Sequence, residues 1–220
     1  MEFLRYRAQR SAEEQLDAEV ESLNRLLEDQ AYQLSLMPEA IVSQAQRNGQ
    51  VDEIVGAQGR FAYVPTNPVP VNGTVGAMAW LSRLQTRHKE SLVFHRLGQI
   101  GAIEVYEAMS LIRRQWFVFF TDPRYAGASD RAPEGLNLME PGRPFHGVGS
   151  LMRDFPHEFA DIVQAYSEEF RLATLAPNKV LNQLSDAVVE RPLAQQLKLE
   201  WVAHAVRSGS AVSEREPALA

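Results

Sequence analysis

Between residues 91 and 121 the chain carries three runs rich in β-branched and aromatic residues, parted by short breaks, and this stretch limits the fold more than any other. The runs predict strands at 91–97, 102–109 and 115–121. Strands joined by so few residues pair antiparallel, because a parallel return needs a crossover of about a dozen residues or more. The expectation is an α+β fold built on an antiparallel meander of three to four strands, packed by C-terminal helices. Gly98-Gln99-Ile100-Gly101 has the glycines of a tight turn, and the second break centres on Ile112 and Arg113.

Centring the turns on these breaks gives a register. It sets Phe94 opposite Val105 and Phe120, Met109 opposite Trp116, Tyr106 opposite Phe119, and Ala108 opposite Phe117. Both faces of the third run are apolar, so the sheet is expected to be covered on both sides. The same register lines up His95, Glu104 and Thr121 at one end, with Asp122 beside them and His146 in reach if the following segment folds back. A histidine held by a carboxylate is a candidate general base or metal ligand. The competing explanation is a partly buried histidine satisfied by a cross-strand glutamate, and it requires no chemistry.

Upstream, Ser11 and Glu14 form a capping-box pattern. Leu16, Val20, Leu23, Leu27 and Leu34 then recur at heptad-like spacing on a charged, amphipathic helix ending near Pro38. This arm, residues 1–47, either packs on its own domain or associates with a second copy or another protein. A glycine-bearing connector at 48–59 opens a core domain at 48–207, in which Phe61 and Tyr63 suit a short strand. After a proline-rich extended segment, Thr74 is placed to cap a helix running to about Arg87. Residues 122–154 are dense in glycine and proline, as binding loops and lids often are. Further helices are expected after Pro156, from Asn178, and from Pro192 with Leu197, Trp201 and Ala205 on one face. The tail at 208–220 has little to bury and is expected to be disordered.

A chain of 220 residues buries enough surface for one substantial core, about 70% of what the unfolded chain exposes. It has no cysteine, which removes disulfides, thiolate catalysis and sulfur-ligated zinc. Net charge is −6, a poor match for a protein that coats nucleic acid, although residues 83–114 hold six Lys/Arg against three Glu. No apolar run approaches the ~20 residues of a bilayer span, and the first residues lack a secretory pattern, so a cytoplasmic protein without membrane attachment is expected.

Phosphate-binding glycine loops and the H-E-x-x-H and G-x-S-x-G hydrolase patterns are missing from the text. The catalytic candidates are therefore only His95, Glu104, Asp122 and His146. Binding candidates are Arg96, Arg113 and Arg114 near Trp116, together with Arg124, Tyr125 and Arg131, because guanidinium groups beside aromatics receive anionic or acidic ligands. No metal or cofactor is expected. The leading expectation is a non-enzymatic interaction or accessory protein of bacterial or phage origin, self-associating through the leucine seam. The alternatives are a small-ligand binder or His-dependent enzyme at the sheet end under the 122–154 segment, and nucleic-acid binding through the 83–114 face.

Overall fold

The computed structural model of the chain describes residues 18, 21–22, 25–140, 155–156 and 189–209. The helices expected after Pro156 and from Asn178, the tail beyond 209, His146, and seam residues Leu16, Val20 and Leu23 lie outside the described residues. In chain order the helices are α1 (Gln30–Ser35), α2 (Glu39–Asn48), α3 (Gly73–Ser82) and α4 (Leu193–Ser208). The strands are β1 (Val69–Pro70), β2 (Leu84–Thr86), β3 (Leu92–Ile100), β4 (Ile103–Ser110), β5 (Trp116–Asp122) and β6 (Leu136–Leu138). The fold is mixed α+β. No helix among the described residues is long and apolar enough to cross a membrane.

The main sheet has the order β1-β5-β4-β3 and is mixed. Its strands β3, β4 and β5 pair antiparallel, while β1 lies parallel to β5, with Val69 opposite Thr121. Pro70 has no N–H to give, which suits the short edge strand it occupies. A separate antiparallel pair joins β2 to β6. The residues around Phe61 and Tyr63, expected to be extended, form turns instead.

Between β4 and β5 the register is the expected one, with Tyr106 opposite Phe119, Ala108 opposite Phe117 and Met109 opposite Trp116. Between β3 and β4 it is not. Phe94 stands opposite Ala108 and His95 opposite Glu107, three residues from the expected alignment. The cause is the first turn, whose centre is Gly101-Ala102 rather than the whole four-residue break, so β3 continues through Gln99 and Ile100. A bulge at Arg96–Gly98 takes up the irregularity. Gly98 sits there at φ 147°, and a Cβ on it would come within 3.1 Å of Val206 Cγ1.

Apolar residues cover both faces of the sheet. On one face Phe94, Tyr106, Ala108 and Phe119 pack with Trp80 and Leu81 of α3 and with Leu84 and Leu92. On the other, Val105, Val118 and Phe120 pack with Val202 and Ala205 of α4, and Trp201 meets the Phe120 ring edge-on at 6.3 Å. Each large side chain fully buried this way contributes about 1.5–3 kcal/mol from water release. α4 starts directly after Pro192, whose fixed φ suits a helix entry. Leu197, expected on its packed face, is 41% exposed.

The helix expected to run on to Pro38 is interrupted. Asp29 has extended backbone, and its carboxylate accepts the Tyr32 N–H, starting α1 afresh; Pro38 then begins α2. Residues 30–50 are docked on the domain. α1 packs against α3, Gln33 is buried with its Oε1 accepting from Asn72 Nδ2, and the Asn48 and Gln50 side chains donate to the carbonyls of Arg124 and Ala128. α3 ends at Ser82, before the expected Arg87, since the chain turns there into β2.

Candidate functional site

β4 carries two glutamates, and alternation along a strand sends them to opposite faces. Glu107 faces α4 and is fully buried. His95 Nε2 lies 2.9 Å from its Oε2. Arg191 donates from Nε to Oε1 at 2.9 Å and from a terminal nitrogen to Oε2 at 3.0 Å, and Gln195 donates to Oε1 at 3.0 Å. Burial, the largest influence, pushes the Glu107 carboxyl upward. The hydrogen bonds from His95, Arg191 and Gln195, with the Arg191 charge, outweigh it and hold the carboxyl below its ordinary value. His95 is 7% exposed and stacks on Phe155 at 4.2 Å, and Arg191 lies over the Trp116 ring. Every oxygen of this carboxylate is committed, which makes the cluster a rivet between sheet and α4.

Glu104 faces the other way, toward α3, and is 1% exposed. Thr74 donates its hydroxyl to Oε1 at 2.7 Å, Tyr106 donates to Oε2 at 2.8 Å, and Arg96 pairs with Oε1 at 3.0 Å. Burial first, and then the neighbouring Glu104 charge, raise the Tyr106 phenol above its ordinary value, so it stays a donor. Asn72, not Thr74, is the N-cap of α3; the threonine expected to cap spends its hydroxyl on Glu104. Gly73, at φ 75°, brings the chain close under Met37.

Above this carboxylate is a pocket of about 360 Å³. Leu36, Met37, Pro38 and Ile41 form an apolar wall from the linked ends of α1 and α2, facing Thr74, Val75, Arg96, Gln99 and Glu104. Leu36 is 48% exposed at its edge. The floor is a neutralised ion pair, although Arg96 Nε is buried without an acceptor. Such a surface receives an apolar group better than it performs proton transfer, because its carboxylate is already held by three donors.

The other expected residues scatter. His95 and Glu104 do not meet: they sit on opposite faces, and of the row expected from His95, Glu104 and Thr121 only the Glu104–Thr121 pair forms. Asp122 is bound by Arg124 through two contacts of 2.7 Å, which hold the Arg124 guanidinium above its ordinary value. Burial, then the Asp122 charge, push Tyr125 up. Arg131 pairs with Glu53 and covers the Phe61 ring. Arg113 pairs with the buried Glu90 at 2.7 Å, while Arg114 stands beside it at φ 55°. Leu27 and Leu34 are half-buried. Among the described residues no three His, Asp or Glu side chains are gathered to hold a metal.

The reading from sequence alone overlooked Glu107, Arg191, Gln195 and the pocket wall. Two acids inside an otherwise apolar strand were the available signal for the first, since buried carboxylates require donors. Compared with protein-family models, with curated proteins and with solved structures, the chain matches none.

Proposed function

We propose that this chain is a non-enzymatic interaction protein that self-associates, and that the pocket formed by Leu36, Met37, Pro38 and Ile41 over the Arg96–Glu104 pair is its receiving surface. The observation that carries the reading is the state of Glu104: buried, triply bonded, and roofed by apolar side chains. A carboxylate whose oxygens are already taken by three donors fixes the shape of a binding surface. Substituting the half-exposed Leu36 places a charge at the pocket edge without opening the core. The experiment is the solution mass of the full chain and of Leu36→Lys by light scattering. A full chain heavier than one copy, reduced by Leu36→Lys, is the expected result; equal masses contradict it.

A second reading, a small-ligand site, is favoured by the buried and unsatisfied Arg96 Nε. It calls for an apolar molecule ending in a hydrogen-bond acceptor. Decanoate titrated calorimetrically into the chain is the probe. Saturable heat that Arg96→Met removes supports this reading, and no heat at millimolar decanoate rejects it.

A further inference from the structure

The β2–β3 and β4–β5 turns lie side by side at one end of the main sheet, and neither belongs to the pocket or to the Glu107 cluster. Leu92 pairs with Ser110 at that end of β3 and β4, and beyond them the Leu111 N–H reaches the Ser91 carbonyl. Glu90 locks the two turns together. It is 5% exposed, and its carboxylate accepts the Arg113 backbone N–H at 3.0 Å and the Arg113 guanidinium at 2.7 Å. Thr86 Oγ1 accepts the His88 and Glu90 N–H groups, and the Ser110 hydroxyl accepts the Gln115 N–H. Thr86, Glu90 and Ser110 are all buried, so both turns are pinned to the core.

Charge at this end is one-sided. Arg87 and Lys89 are exposed, Arg114 is half-buried, and among the described residues no ion pair engages any of the three. Two carboxylates of these segments are already occupied: Glu90 by Arg113, and Glu134, two residues before the β6 partner of Thr86, by Arg60 at 3.4 Å. Lys89 at φ 60° and Arg114 at φ 55° are two of the three non-glycine residues with positive φ among those described, the third being Ala62. Glycine adopts this region freely and a residue with a side chain does not, yet at both positions the chain carries a long cation. Strain of this kind concentrates where a side chain is put to use.

We propose that these two turns bind the phosphate backbone of double-stranded nucleic acid, with Arg87, Lys89 and Arg114 each neutralising a phosphate. The site is separate from the pocket and stands whether or not the chain self-associates. A duplex carries one phosphate charge per ~1.7 Å of its axis, so cations fixed on adjacent turns find phosphates in reach without a special sequence. Such contacts carry no sequence information, and their affinity falls with salt as condensed ions are released. Single strands are disfavoured, because they are held largely by stacking on aromatic rings. Trp116, the aromatic ring closest in sequence to the β4–β5 turn, meets Phe155 edge-on at 6.1 Å and is covered by Arg191. A lipid surface is disfavoured too: Ile112, 61% exposed, is the one large apolar side chain exposed in these turns, and interfacial anchoring takes a whole apolar face. The overall charge of −6 keeps the binding local to these turns and weak.

The test is fluorescence anisotropy of a labelled duplex of about 20 base pairs, titrated with the full chain from about 20 to about 200 mM sodium chloride. Three phosphates predict a slope of about −2.7 in log affinity against log salt, an affinity loss of roughly 500-fold over that range. The variant is Lys89→Gly with Arg114→Gly, which removes two cations from positions whose backbone favours glycine. Its thermal melt is expected to match or exceed the parent's while the slope shrinks to about −0.9. Should the double variant melt early, Arg87→Gln, at an exposed turn position, takes its place with an expected slope of about −1.8. No anisotropy change at about 20 mM salt and up to about 100 µM chain overturns the proposal, as does a folded variant that binds with the parent's slope. Co-sedimentation with phosphatidylcholine vesicles holding about 30% phosphatidylserine, when the duplex is not bound, assigns the turns to an anionic lipid surface and overturns the nucleic-acid reading.

Discussion

Glu104 and Glu107 stand three residues apart on β4, face opposite sides of the sheet, and are both buried, at 1% and 0% exposure. An isolated buried carboxylate costs several kcal/mol, so each has gathered donors from segments remote in sequence. Glu104 draws in Thr74 and Arg96, and Glu107 draws in Arg191 and Gln195. One strand thereby fixes the pocket on one face and the C-terminal helix on the other.

Glu107→Gln keeps the shape but removes the charge that balances Arg191, itself 30% exposed. Breaking a buried pair on one side costs about 3–5 kcal/mol, and partial solvation of Arg191 brings the expected loss to roughly 2–3 kcal/mol. Urea unfolding at neutral pH measures it. A change under about 0.5 kcal/mol, the range of an ordinary surface substitution, rejects the riveting role.

The same carboxylate sets the acid limb of stability. Its folded pKa lies below the ordinary value, so folding is favoured above the unfolded value of about 4.3 and loses this contribution as pH falls through the folded value. Unfolding free energy measured from neutral pH down to about pH 3 is expected to fall less steeply in Glu107→Gln than in the parent. Parallel curves contradict the assignment.

An alkaline limb comes from Tyr63, pushed up to about 12 chiefly by burial, with Arg60 opposing and Glu134 adding. A raised folded pKa means the contribution is intact below the unfolded value near 10 and is lost as pH rises from there through about 12. Tyr63→Phe loses the hydrogen bond to the Glu134 carbonyl, about 1 kcal/mol, but flattens the decline above pH 10. Thermal melts at pH 9 and pH 11 compare the two chains. An unaltered decline counts against the shift.

Backbone strain ranks two glycines of one hairpin. Gly98→Ala meets both a φ of 147° and a contact of 3.1 Å with Val206, whereas Gly101→Ala meets a φ of 61° in open space. The first is expected to cost about 2–3 kcal/mol and the second about 1 kcal/mol. Equal losses in urea unfolding contradict this reading of the bulge.

Strand positions and the β4–β5 register were legible because alternation and turn chemistry both act over a few residues. The β3–β4 register was not, since Gly98 reads as turn punctuation but serves as a bulge against Val206 of α4. That single misassignment joined His95 to Glu104 and hid Glu107. Periodicity signalled α4 but not its Gln195–Glu107 bond, which crosses 88 positions of chain. The pocket was equally hidden. Leu36, Met37 and Ile41 fall within the expected arm, at and just past the end of its helix, and only the break at Asp29 and restart at Pro38 turn them toward Arg96.

The mass of the unmodified full chain across a salt series, by light scattering from about 20 mM to about 1 M sodium chloride, tests the central claim most directly. Screening shortens from a range of some 20 Å to about 3 Å over that span. The account predicts a mass above 24.7 kDa that persists as salt rises, because the contact at the pocket is apolar and salt does not screen it. A mass of 24.7 kDa at every salt concentration, at protein concentrations up to about 100 µM, contradicts self-association through the pocket.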